Sequence, residues 1–196
     1  MRLTRISLLL LALTGVLHGC VVPVAAVGTG ALMATDRRTT GAYIEDEAIE
    51  NKSISQIHGK YKKNPNVHIN VTSFNRHALI TGEVSDETIK SDIARIVSEQ
   101  ENVKGITNEL TISGVSSLTA RSSDTIITTD VKTRFMGSKA FSANHVKVVT
   151  ENSTVFLMGM VCQPEADAAT ELASTTSGVQ RVVKVFEYIP CPPAKR

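Results

Sequence analysis

The chain has 196 residues, 42% of them apolar, which is enough to bury one ordinary core or two small ones. Aromatic residues make up only 4% and Trp is absent, so a stacking platform for single-stranded nucleic acid is not expected. The formal charge of +2 is far from the basic stripe of a duplex binder, and no nucleic-acid partner is expected. It is also unevenly spread: residues 44–112 carry 8 basic and 11 acidic side chains and residues 121–196 carry 9 and 7, so the second half suits an anionic partner better.

Residues 1–19 hold Arg2 and Arg5, then the apolar run from Ile6 to Leu13, too short to span a bilayer comfortably, and then Leu17-His18-Gly19 before Cys20. A short basic region followed by such a run reads as a bacterial export signal. Leu17-His18-Gly19-Cys20 resembles a lipobox, which implies cleavage before Cys20, a diacylglycerol on its sulfur and an acylated new N-terminus. Several acyl chains satisfy the requirement for stable anchoring. Val21 and Val22, in place of an aspartate after the cysteine, imply by the same resemblance sorting to the outer membrane. Residues 20–42 are small and repetitive, with Pro23, Gly28, Gly30 and Gly41, and read as an acylated N-terminus and tether.

Residues 43–113 then read as a first unit. Ile44, Ala48, Ile49, Ile54, Ile57 and Tyr61 approximate a helical stripe, opened by Glu45, Asp46 and Glu47 and closed by Lys60, Lys62 and Lys63 as the helix dipole favours. Asn64-Pro65-Asn66 breaks that helix. Residues 68–84 alternate apolar and polar positions around an Asn-containing turn, the pattern of a β-hairpin. Ser85-Asp86-Glu87 caps a second helix with Ile89, Ile93, Ile96 and Val97 inward, and Val103 to Ile112 supply a last strand.

The hairpin recurs 77 positions later without a gap, His68, Val71, Asn75, Gly82 and Val84 returning as His145, Val148, Asn152, Gly159 and Val161. Gly82 and Gly159, late in the second strand, mark a bulge or close packing. After a linker at residues 114–121, residues 122–190 repeat the order: helix 124–136, hairpin 146–161, helix 164–176 opened by Pro164, strand 182–189. The tail, residues 191–196, cannot continue a strand. The fold class is α+β: two tandem αββαβ units, each a three-stranded sheet packed by two helices, behind a lipoprotein signal and a flexible tether.

Ile80-Thr81-Gly82-Glu83-Val84 with Val103 and Ile106, and Met158-Gly159-Met160-Val161 with Val179 and Val182, resemble the BON domain. Two such units behind a lipobox resemble the dual-BON-domain, DolP-like outer-membrane lipoproteins, and the resemblance covers essentially the whole chain. It implies a non-catalytic protein, lipid-anchored on the periplasmic face of the outer membrane, that supports envelope integrity and is enriched at division sites. It further implies binding of anionic phospholipid through the first helix of the second unit. On that helix Ile127, Val131 and Phe135 share one face, suited to the core, and Ile126, Thr129, Thr133 and Met136 another. Lys132 and Arg134 on the helix, and Lys139 after it, supply attraction for lipid phosphate. The phospholipid-binding set is therefore Ile126, Thr129, Lys132, Thr133, Met136 and Lys139, unless Ile126 and Met136 pack instead against the first unit. The family's helix has a tryptophan at the position of Ile126 and a lysine at that of Asp130. The other reading is a protein-interaction module for an outer-membrane assembly machine or cell-wall complex, engaged through a sheet edge or helix.

No nucleophile triad, phosphate loop or spaced pair of catalytic carboxylates occurs, so no catalytic residue and no cofactor is expected. His68 and His145 are equivalent by repeat and fall in separate units, and no metal site is expected from them. Cys162 and Cys191 each follow a strand of the second unit. If the crossover makes those strands parallel both fall at one sheet edge, where an exported compartment permits a disulfide; strand order decides the matter and is not legible in the sequence.

Overall fold

The computed structural model describes residues 36–191. The expected signal peptide, the lipidation site Cys20, the tether as far as residue 35 and the tail beyond Cys191 lie outside the described residues. The first helix, α1 (Thr40–Tyr61), opens where the Thr39 hydroxyl accepts the N–H of Ala42, inside the segment expected to be tether. Its buried face is Ala42, Asp46, Ile49, Ser53 and Ile57, at helical spacing, whereas Ile44, expected on that face, is exposed. Two polar members hid this face from hydropathy.

Strands β1 (His68–Phe74) and β2 (His77–Val84) form the hairpin. The turn between them, Asn75-Arg76, has positive φ at both residues, 51° and 69°, the conformation that matches strand twist in a two-residue loop. Asp86 caps α2 (Glu87–Ser98) by accepting from Ile89 N–H, and the crossover returns to β3 (Gly105–Ile112), parallel to β2. The sheet order is β1-β2-β3.

The second unit repeats this with α3 (Leu118–Met136), β4 (Val146–Glu151), β5 (Thr154–Val161), α4 (Gln163–Ser174) and β6 (Arg181–Tyr188), in sheet order β4-β5-β6. Its hairpin turn, Asn152-Ser153, again has positive φ at both residues. Helix α3 begins six residues before the expected 124: the Ser117 hydroxyl caps it by accepting from Ala120 N–H, so residues 118–121 are helix and not linker. Cys162 and Cys191 are joined in a disulfide with their Cα atoms 5.0 Å apart, closing α4 and β6 into one loop; β5 and β6 are indeed parallel.

Each sheet buries one face under its own two helices. Ile49, Ile57, Ile80, Val84, Ile93 and Leu110 build the first core, and Ile127, Val131, Phe135, Leu157, Val161 and Ala169 the second. The opposite faces of the two sheets bury against each other: Phe74 and Leu79 pack with Phe156 and Met158, flanked by Val149, Val183 and Val185. Each such side chain removed from water stabilises the pairing by about 2 kcal/mol. The central strands are therefore apolar on both faces, which explains why β2 is buried at every position after His77. Gly82 and Gly159 follow from the same crowding, since a Cβ at either would collide with a backbone carbonyl, that of His68 on β1 or of His145 just ahead of β4.

Candidate functional site

Because sheet packs on sheet, the helices face outward, and α3 carries more apolar surface than its own core uses. At about 100° per residue, Leu118, Ser122, Thr125, Ile126, Thr129, Thr133 and Met136 fall within an arc of about 100°. Leu118 is 78% exposed, Ile126 62% and Met136 70%. The hydroxyls along the arc donate to their own helix: Ser122 to Leu118 O, Thr125 to Arg121 O, Thr129 to Thr125 O and Thr133 to Thr129 O, at 2.8 to 3.0 Å. Those protons are turned inward and the threonine methyls are left outward, so the stripe is more apolar than its composition suggests.

The first unit therefore does not cover Ile126 or Met136, the alternative the sequence leaves open. Lys132 flanks one side of the stripe and Asp130 the other, both exposed; Lys139 is exposed just beyond the Gly137 C-cap. Arg134, expected to face lipid, does not: its guanidinium donates to Leu172 O at 2.6 Å and Thr176 Oγ1 at 2.9 Å, closing the end of α4. Leu118 was hidden by its assignment to the linker; the Ser117 cap two residues ahead of Thr119-Ala120 was the available signal.

At its C-terminal end the stripe meets the place where the described chain begins. Met136 and Lys132 line a groove of about 500 Å³ together with Arg38, Tyr43, Phe74 and Lys147. Arg38 stacks over Phe74 at 4.2 Å and Tyr43 at 5.0 Å and pairs with Asp36 and Asp46. Arg37 binds the second unit: it donates to both carboxylate oxygens of Glu165, at 2.6 and 2.8 Å, and to Met160 O at 2.7 Å. Those bonds from Arg37 hold the Glu165 carboxyl below its usual range, against its burial. Residues 36–39, expected to be tether, are thus fixed to both units, and the chain enters the fold beside α3.

The rim of the contact between the sheets is polar. Lys147 Nζ reaches Glu50 at 2.8 Å, Asn75 Nδ2 reaches Glu187 at 2.6 Å, and Arg181 pairs with Glu109 at 3.3 Å. His68 Nδ1 lies 3.1 Å from Glu83 Oε2, and Asn152 Nδ2 donates to Glu83 Oε1 at 2.6 Å across the interface. His77 bonds Thr107 and its burial pushes the imidazole pKa down; His58 is exposed.

The BON domain family model matches residues 45–114 and 123–190. The outer membrane lipoprotein DolP of Haemophilus influenzae is 38% identical over 184 residues, 92% of this chain and 94% of that protein. The chain belongs to the BON-domain family, in its two-domain, DolP-like form. BON1 and BON2 are the two αββαβ units, and the site is the outer face of the first BON2 helix. The 21 kDa hemolysin of Actinobacillus pleuropneumoniae is 30% identical over 79% of both chains, and the osmotically-inducible protein Y of Escherichia coli 24% over 72% of both. Among the described residues no helix is long and apolar enough to cross a membrane.

Proposed function

We propose that this protein is a non-catalytic outer-membrane lipoprotein, held through acylated Cys20 on the periplasmic face, that docks the α3 face of BON2 on anionic phospholipid. The single observation that carries the proposal is the exposed stripe of Leu118, Ile126 and Met136, whose hydroxyl neighbours are turned inward. Ile126, Thr129, Thr133 and Met136 enter the headgroup boundary, and Lys132 and Lys139 meet lipid phosphate, each contributing about 1 kcal/mol near an anionic surface. Neither force is large. Anchorage through Cys20 raises the local concentration of the surface, so a weak site is occupied. Support of envelope integrity and enrichment at division sites are the roles that such a dual-BON lipoprotein would serve.

Vesicle flotation of the chain from residue 21 onward, which contains both BON domains, isolates this surface from the acyl anchor. Binding to anionic vesicles, weak binding to neutral ones, and loss on combining Ile126→Ser with Met136→Ser are expected. Equal, negligible flotation with both lipids would reject the proposal. A protein partner in an outer-membrane assembly machine or cell-wall complex is the second reading, favoured by the open edge of β3, where Ile112 is half exposed. Crosslinking from position 112 that recovers one defined protein would support it.

A further inference from the structure

His68 of β1, Glu83 of β2 and Glu151 of β4 bring one ligand atom each, an imidazole nitrogen and two carboxylate oxygens, within 4.8 Å of one another across the BON1–BON2 interface. The two carboxylates come from different domains and are buried, Glu83 at 1% exposure and Glu151 at 8%. Asp124 on α3, also buried, faces the same cavity as Glu151, with Arg121 and Lys132 as the cationic side chains along it. Arg121 is turned to the Ser116 carbonyl and hydroxyl and is not paired with either glutamate among the described contacts. Two carboxylates pressed together out of water repel each other, and His68 is the single cation former within the triad.

The arrangement has the features of a ligand set. His68 Nδ1 and Glu83 Oε2 are 3.1 Å apart, near the ~3.3 Å that separates two ligands on a tetrahedral Zn²⁺ with bonds of about 2.0–2.1 Å. The Glu151 oxygen lies within 4.8 Å of both, so a change of its own side-chain rotamer brings it to the same spacing. Each glutamate is also oriented from behind by the opposite domain: Asn152 Nδ2 of BON2 bonds Glu83 Oε1 at 2.6 Å, and Asn70 Nδ2 of BON1 bonds Glu151 Oε2 at 3.1 Å. Ser116 Oγ, in the connection between the domains, reaches Glu83 Oε2 at 3.3 Å. Such outer contacts fix metal-bound carboxylates and set their basicity. A cavity of about 400 Å³ reaches His68 and Glu151 and has room for a water in a fourth position. The imidazole nitrogen selects against Mg²⁺ and Ca²⁺, which take oxygen ligands.

We propose that His68, Glu83 and Glu151 form a divalent-cation site of Zn²⁺ type that ties BON1 to BON2. Bound cation neutralises both glutamates and links strands of the two sheets by bonds that neither domain makes alone. The site does not depend on the lipid-docking reading; it concerns how the two domains are held together.

The experiment is titration of the chain from residue 21 onward, stripped with chelator, with Zn²⁺ and with Co²⁺ as a coloured stand-in. One Zn²⁺ per chain, a rise in Tm on adding it, and a visible Co²⁺ band of four-coordinate intensity are expected. Glu151→Gln and His68→Gln should each weaken binding at least tenfold and abolish the Zn²⁺-dependent rise in Tm. Without metal, Glu151→Gln should melt no lower than the parent, because its amide oxygen still accepts from Asn70 and a buried charge is gone, so its loss of metal is not unfolding. Failure to bind one equivalent at pH 7.5, or binding that survives both substitutions and so belongs to other surface histidines, overturns the proposal.

Discussion

Asp46 and Asp124 do the same work 78 residues apart. Each sits on the buried face of the first helix of its domain and accepts both backbone N–H groups of a hairpin turn, Asn75 and Arg76 for Asp46, Asn152 and Ser153 for Asp124, at 2.7 to 2.9 Å. A two-residue turn of this type leaves N–H groups aimed out of the ladder, and here a carboxylate on the packed helix takes them. The helix is thereby locked to the hairpin by charge-assisted hydrogen bonds as well as by apolar packing. Asp46 does more: it also accepts from Ser73 Oγ and from Arg38 Nη1.

The two aspartates should therefore differ in their substitution cost. Asp46→Ala leaves Arg38, Ser73 and two backbone donors short of a partner and should destabilise by about 3–5 kcal/mol; Asp124→Ala leaves two donors and should cost about 2–3 kcal/mol. Urea denaturation of the two variants measures both. Equal and small losses would mean that solvent replaces the carboxylates.

Gly82 and Gly159 should also rank. At both a Cβ meets the backbone carbonyl of a histidine at the start of the neighbouring strand or just ahead of it, but Gly82 has in addition a φ of +119°, where a side chain is strained whatever the space. Gly82→Ala should cost about 3 kcal/mol or more, and Gly159→Ala less, with the hairpin displaced from His145. Thermal melts of the two single variants decide the order.

The αββαβ repeat was legible because hairpin, caps and closing strand each left a periodic signal, and the hairpin left it twice. What was lost traces to polar residues in buried places. Asp46 and Ser53 sit on the core face of α1, so hydropathy alone favours a stripe through Ile44 and Ala48 instead. Thr81 and Glu83 are buried on the outer face of β2 because a second sheet covers it, and a single strand does not announce a partner sheet. On α3, where the resemblance directs attention, helical spacing puts Ile126, Thr129, Thr133 and Met136 on one face, and all four are exposed. Leu118 lies ahead of the helix start that the sequence suggests, and the carbonyl partner of Arg134 at Leu172 is too distant in sequence for any local pattern to show.

If α3 docks on anionic lipid, the two positions where it departs from the family should tune affinity. Ile126 and Asp130 are exposed, so Ile126→Trp and Asp130→Lys alter the surface and not the core. Asp130→Lys removes a repelling charge and adds an attracting one, which at about 1 kcal/mol per charge near the membrane gives roughly 30-fold tighter binding to anionic vesicles at low salt. Ile126→Trp should strengthen binding to neutral and anionic vesicles alike, because an indole prefers the interface whatever the headgroup. Flotation of both variants against salt separates the two effects. Unchanged binding for both would place the contact elsewhere.

The Arg37–Glu165 pair should make the start of the fold pH-dependent. Hydrogen bonds from Arg37 lower the Glu165 carboxyl, opposed by burial and aided by the Cys162 N–H, the Arg37 charge and His145. A carboxyl whose folded pKa is depressed contributes its stabilisation fully above its unfolded value, about 4.3 for glutamate, and loses it as the pH falls through the folded value. The clasp should thus be intact at neutral pH and open only in acid. Arg37→Ala should reproduce the open state at pH 7, at a cost of about 2–3 kcal/mol locally, while α1 stays capped by Thr39. Amide exchange over residues 36–39 measures it: protection at pH 7 in the parent, and loss of it at the same pH in Arg37→Ala. Equal exchange in the two proteins would show that the segment is held by Arg38 and its partners Asp36 and Asp46 alone.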